Sequence, residues 1–83
     1  MKRVFIVYIL YSAKLNKYYI GFTMHLDRRL EEHNRGKTVF TRSGIPWELI
    51  YQKSFSTRPE AVRFEKSIKK RGAGRFLKDH DIG

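Results

Sequence analysis

Residues Arg3 to Tyr11 read RVFIVYILY and residues Lys17 to Thr23 read KYYIGFT, with the turn-forming SAKLN between them. The first run is β-branched and aromatic almost throughout, the pattern of a strand buried on both faces. The connection from Ser12 to Asn16 is short, so the two runs form an antiparallel hairpin. Along the first strand Ile6, Tyr8 and Leu10 share a side; along the second, Tyr19 and Gly21 do. With Ser12 to Leu15 as the loop, Tyr8 is expected opposite Tyr19, and a turn centred on Asn16-Lys17 would shift that register. Tyrosine in a strand is ordinarily packing with a polar tip. A glycine inside a strand weakens it unless a close approach needs the space, so Gly21 is the more informative residue.

Outward from the hairpin, Thr23 is placed to cap a helix running to about Arg35, with Asp27 in its first turn and Gly36 as its stop. Lys37 to Pro46, containing Ser43-Gly44, reads as a loop. Trp47 to Phe55 (WELIYQKSF) is a third strand with approximate alternation. Thr57-Arg58-Pro59-Glu60 is a capping box with a proline tolerated in the first turn, opening a helix to about Lys70. Gly72 and Gly74 interrupt the pattern, and Arg75 to His80 adds a short final helix. The order β-β-α-β-α predicts an α+β fold: a small three-stranded antiparallel sheet flanked by two or three helices, in one domain over residues 1–83.

With 83 residues, the core is thin, and the absence of cysteine excludes both a disulfide scaffold and a thiolate metal site. No apolar run approaches the ~20 residues of a membrane span. Met1-Lys2-Arg3 followed by apolar residues has the start of a leader, but no small-residue cleavage site follows, so a cytoplasmic protein is expected.

Eighteen Lys and Arg against eight Asp and Glu leave a net charge of +10, which bears on partners and not on fold. Arg35, Lys37 and Arg42 lie in an acid-free stretch that also holds Phe40, with Trp47 just beyond; a second acid-free stretch holds Lys66, Lys69, Lys70, Arg71, Arg75 and Lys78. Positive charge interleaved with aromatics suits a phosphate backbone and stackable bases. A solvated basic face is the plainer alternative, and a membrane-surface segment lacks its amphipathic insertion face. Nucleic acid is therefore the expected partner, with no membrane.

Helical geometry places polar groups where apolar ones belong. Leu26, Leu30 and His33 share a face of the first helix, with Arg29 at its edge. Ala61, Phe64 and Ile68 form the inward stripe of the later helix, and Glu65 projects between them. A buried carboxylate costs several kcal/mol unless a cation, metal or donor meets it. Taken singly, Arg29 could cover a leucine with its stem, His33 could be a satisfied boundary residue, and Glu65 with Lys69 could be an ordinary helix pair. Nothing else in the chain offers catalysis: the three histidines have no metal-ligand spacing, and there is no phosphate-binding glycine loop or serine elbow.

The set Val7-Tyr8-Ile9, Tyr19-Ile20-Gly21, Arg29, His33 and Glu65 resembles the GIY-YIG endonuclease superfamily, and most of all its short single-domain bacterial members of the URI type, from Val4 to about Lys70. The resemblance implies a divalent-metal-dependent endonuclease that hydrolyses phosphodiesters, with DNA as the first-choice substrate. Glu65 would be the ligand of one Mg²⁺ or Mn²⁺ ion and Arg29 the phosphate-binding cation. Tyr8 would be the general base with Tyr19 as its partner, His33 the supporting base or hydrogen-bonder, and Gly21 the close-packing glycine. Arg29, the metal and His33 are expected to stabilise the Tyr8 phenolate. Two departures stand out: Ile6 replaces the glycine of the first motif, and Phe22 follows Gly21 where some repair nucleases carry lysine. Without a separate targeting domain, binding would fall to Arg35, Lys37, Arg42, Lys66, Lys69, Lys70 and Arg71. The alternatives are a non-catalytic nucleic-acid-binding module and a nuclease subunit active only with a targeting protein. DNA repair, recombination, restriction and mobile-element settings fit equally.

Overall fold

Phe5–Ser12 (β1) is paired on both edges, antiparallel to Lys17–Thr23 (β2) on one side and Trp47–Phe55 (β3) on the other. The computed structural model describes residues 3–80; Met1-Lys2 of the leader-like start and residues 81–83 lie outside them. The helices are Leu26–Asn34 (α1), Val39–Arg42 (α2), Arg58–Arg71 (α3) and Ala73–Asp79 (α4). The expected α+β architecture is present.

The apolar run of β1 is explained by a layer on each side of the sheet. Phe5, Val7 and Ile9 face one core, where Ala61 and Ile68 of α3 and Ala73, Phe76 and Leu77 of α4 pack on them. Tyr8 and Leu10 face the other, joined by Trp47 and by Leu26 and Leu30 of α1. Each layer is too small to hold the domain alone, so the central strand has to serve both.

β3 contributes to both cores through a bulge. Ile9 pairs with Tyr51 but Leu10 pairs with Leu49, leaving Ile50 as an extra residue. One inserted residue reverses the facing of everything beyond it. Trp47 and Leu49 therefore join the Tyr8 core, whereas Tyr51 and Phe55 join the Val7–Ile9 core. That reversal is why the alternation of WELIYQKSF is only approximate.

Several boundaries differ from expectation. β1 begins at Phe5 and extends through Ser12, whose hydroxyl donates to Gly44 O at 2.7 Å and accepts from Leu15 N at 3.1 Å. Thr23 does not cap α1: His25 occupies the N-cap, and Thr23 Oγ1 accepts from His25 N in the turn before it. Gly36 does stop the helix, at φ 75°. The expected loop contains α2, a single turn invisible to periodicity because it is too short to repeat. α4 starts at Ala73, two positions earlier than read, because Gly72 both ends α3 and opens α4. No helix among the described residues is long and apolar enough to cross a membrane.

The N-cap half of the expected capping box forms, with Thr57 Oγ1 accepting from Glu60 N at 3.4 Å, while the Glu60 carboxylate accepts from the Thr57 hydroxyl at 2.8 Å in place of the backbone N–H. Thr57→Ala should destabilise the protein by about 1 kcal/mol, seen as a lower urea midpoint with an unchanged m-value.

Candidate active site

Tyr8 pairs across the strands with Gly21, and Tyr19 with Leu10. This corrects the expected pairing of Tyr8 with Tyr19 by two residues. The loop is Ala13 to Asn16, with Asn16 in the left-handed region (φ 54°) and its Oδ1 accepting from the Tyr11 hydroxyl at 2.7 Å. A shift of two preserves facing, so both phenols remain on one side of the sheet, with ring centroids 6.4 Å apart. A Cβ built on Gly21 would stand 2.7 Å from Tyr8 Oη and 3.0 Å from Cζ. The tyrosine ring thus lies across the edge strand in space that only glycine leaves open.

His33 closes over the two rings from α1. It is 1% exposed, its ring centroid is 4.8 Å from that of Tyr19, and Nε2 is 3.4 Å from Tyr8 Oη. Nδ1 lies 2.8 Å from Thr41 Oγ1, which donates its own proton to Thr38 O at 3.3 Å. Thr41 has one hydroxyl proton, so it accepts from Nδ1–H, and the Nε2 lone pair faces the Tyr8 hydroxyl. Burial, reinforced by the Arg29 charge and opposed by Glu32, depresses the His33 pKa from its ordinary 6.5 and favours the neutral ring.

Sequence reading missed Thr41 because a lone threonine in a polar loop carries no signal. It is buried, and its carbonyl accepts from Trp47 Nε1 at 2.6 Å. Trp47, expected to offer a stacking face, is therefore a core residue, at 5% exposure. Asn34 was also missed: its amide accepts from Trp47 N at 2.6 Å and donates to Trp47 O at 3.1 Å, fastening the start of β3 to the end of α1.

Arg29 and Glu65 approach from different elements. The Arg29 side chain is half-exposed, with Nε 4.0 Å from Glu32 Oε1. Glu65 of α3 is largely covered, with Lys69 Nζ 3.4 Å from Oε2. Both charges act on the Tyr8 phenol. Burial pushes its pKa well up, Tyr19, Glu65 and Glu32 push the same way, and Arg29 opposes them. Of the three groups expected to stabilise a Tyr8 phenolate, Arg29 acts in that direction but is outweighed by burial and the neighbouring negative groups, which leaves the stabilisation to a bound metal and to His33.

No group of three or more His, Asp or Glu side chains suited to a metal occurs among the described residues. One hard carboxylate, with a flexible lysine as its ion-pair partner, does fit Mg²⁺ or Mn²⁺, because Mg²⁺ retains most of its water and needs one or two protein oxygens.

The basic residues divide into two groups. Arg35 pairs with Glu31 at 2.7 Å, Lys69 with Glu65, and Arg71 with Asp79 through Nε at 2.7 Å and Nη2 at 2.9 Å. Arg42 is held by a bond from Nε to Gly36 O at 2.9 Å. Lys37, Lys66 and Lys70 form no salt bridge among the described residues.

A family model described as the GIY-YIG catalytic domain matches residues 4–75. A UPF0213 protein of Streptococcus pneumoniae is 38% identical over 66 residues, covering 78% of this chain and 66% of its own length, so the chain spans about two thirds of that relative. UPF0213 protein SH2523 of Staphylococcus haemolyticus is 41% identical over 64 residues, covering 76% of this chain and 77% of its own. The solution structure of UPF0213 protein BH0048 from Bacillus halodurans superimposes with a TM-score of 0.54 at 33% identity, covering 93% of this chain and 80% of that one.

Gly21→Ala should drive the new methyl into the Tyr8 hydroxyl and cost about 1–3 kcal/mol, with Tyr8→Phe in the same chain recovering part of the loss in a double-mutant cycle of urea midpoints. The unfolded chain protonates His33 before the folded one does, so its contribution to stability is complete above about pH 6.5 and declines as the pH falls through the lower folded-state value. His33→Gln should remove up to one proton from the slope of unfolding free energy against pH between about 7 and 5, measured by urea titration at each pH.

Proposed function

The chain belongs to the GIY-YIG catalytic-domain family, and from that membership we propose that it is a divalent-metal-dependent endonuclease acting on DNA. The observation that carries this reading is the cluster of Tyr8, Tyr19 and His33, two phenols and a buried imidazole brought together from three elements, to which the reading adds Arg29 and Glu65 as the charges that act on the Tyr8 phenol. An inward carboxylate and a guanidinium acting on one hydroxyl have no evident use in a protein that only binds.

Phosphodiester hydrolysis requires in-line delivery of water, neutralisation of the charge on the non-bridging oxygens, and stabilisation of the departing oxygen. Arg29, half-exposed, offers its planar fork to a non-bridging oxygen. Tyr8 takes a proton from the attacking water while passing its own to the Nε2 lone pair of His33. No free phenolate has to form, which removes the difficulty of its raised pKa. The 3.4 Å separation of Tyr8 Oη and Nε2 is long and must shorten for that transfer. Thr41 holds the imidazole in the tautomer that can accept. Tyr19, half-buried beside both, orients the phosphate. Glu65 would hold a hydrated Mg²⁺ or Mn²⁺ ion, which supplies Lewis acidity to the leaving oxygen when bound.

Glu65→Gln should abolish Mg²⁺- or Mn²⁺-dependent nicking of plasmid DNA, by a factor of at least about 100. DNA binding in EDTA and the urea midpoint should stay close to those of the parent. Unchanged nicking by this variant would overturn the metal assignment, and steeply salt-dependent binding with no products under any metal would leave a binding module.

A further inference from the structure

Phe40 is 91% exposed and its neighbour Val39 74%, the two most exposed large apolar side chains among the described residues. Scattered exposed apolar residues are ordinary on protein surfaces. These two differ because the turn that carries them is fixed from three directions. One turn of helix cannot hold itself in water. Here Thr41 bonds His33, the Trp47 indole bonds Thr41 O, and Arg42 bonds Gly36 O. With Thr41 turned inward by those contacts, Phe40 is held outward, and its place in the chain sets it next to the residue that orients the His33 ring. A rigid aromatic loses little conformational freedom when it engages a ligand.

The surrounding charge indicates what that ligand is. Between Glu32 and Glu48 the chain has no acidic residue, and it carries Lys37 and Arg42 on either side of the apolar pair in sequence, with Arg35 just before them paired to Glu31. A second copy docking there would oppose two such collars on molecules of net charge +10. A polyanion with flat apolar faces suits both features. We propose that Phe40, flanked by Val39, is a wedge that stacks on an unpaired base beside the cleaved phosphate, so that the preferred substrate carries bases outside a continuous duplex. This inference rests on the nucleic-acid reading above and adds the substrate class. Aromatic side chains stack on bases irrespective of sequence, and apolar wedges enter disrupted steps at less cost than intact ones.

The test compares the full chain with Phe40→Ala and Phe40→Trp on an intact duplex and on the same duplex interrupted by a single-stranded gap containing 2-aminopurine, in EDTA, over a range of salt. Phe40→Ala should weaken binding to the gapped DNA about tenfold or more and leave duplex binding within about twofold, with the salt slope unchanged. Phe40→Trp should retain gap binding and quench the 2-aminopurine emission. Gap binding unaffected by Phe40→Ala, equal losses on both DNAs, or a parent dimer that Phe40→Ala dissociates in sedimentation would each overturn the wedge. If the parent protein binds neither DNA, the nuclease reading itself fails and the wedge with it. Binding by the parent that Phe40→Ala leaves intact removes the wedge alone.

Discussion

Tyr8 lies flat across the edge strand because residue 21 has no side chain, and the geometry of the site depends on that contact. A side chain at position 21 would occupy the space of the phenol itself. With the ring seated there, its hydroxyl meets His33, Tyr19 stands alongside, and the charges of Arg29 and Glu65 act on the same group. The glycine is thus a steric requirement of the tyrosine. Its conformational freedom is not what matters at this position.

A buried polar chain then joins three consecutive elements, α1, α2 and β3. His33 leads to Thr41, the Thr41 carbonyl to the Trp47 indole, and the Trp47 backbone to Asn34, the residue after His33. The loop of bonds returns to the helix it left. No buried side-chain nitrogen or oxygen lacks a partner among the described residues, so the network has the completeness that makes such groups ordering instead of costly. It also ties the basic segment that carries Phe40 to the imidazole beside Tyr8.

Much of the fold was legible locally. β2 and β3 have the bounds that their composition indicated, and the Thr57 cap and Gly36 stop lie where short-range chemistry puts them. What was not legible was long-range. The strand register differs by two residues because the Ser12 hydroxyl is engaged by Gly44, far along the chain, and stays in β1. The bulge at Ile50 answers to the need to fill two cores. Trp47 looked like a stacking surface and is buried, while Phe40 looked similar and is exposed. Arg71, read as free to bind phosphate, is engaged by Asp79 beyond the end of its acid-free stretch. Among the candidate site residues, the helix face of His33 and the inward lean of Glu65 were readable from periodicity, but Thr41 was not.

The amino-acid sequence determined the element order apart from α2, the doubly covered central strand, the excess of positive charge and the identities of the reactive side chains, because each depends on composition or on spacing within a few residues. Tertiary structure alone decided which way the imidazole presents its lone pair, that burial raises the Tyr8 pKa above its ordinary value, which cations are already neutralised, and which of two neighbouring aromatics faces water. Those are properties of contacts between segments, and each is set by what the opposite segment places within a few ångströms.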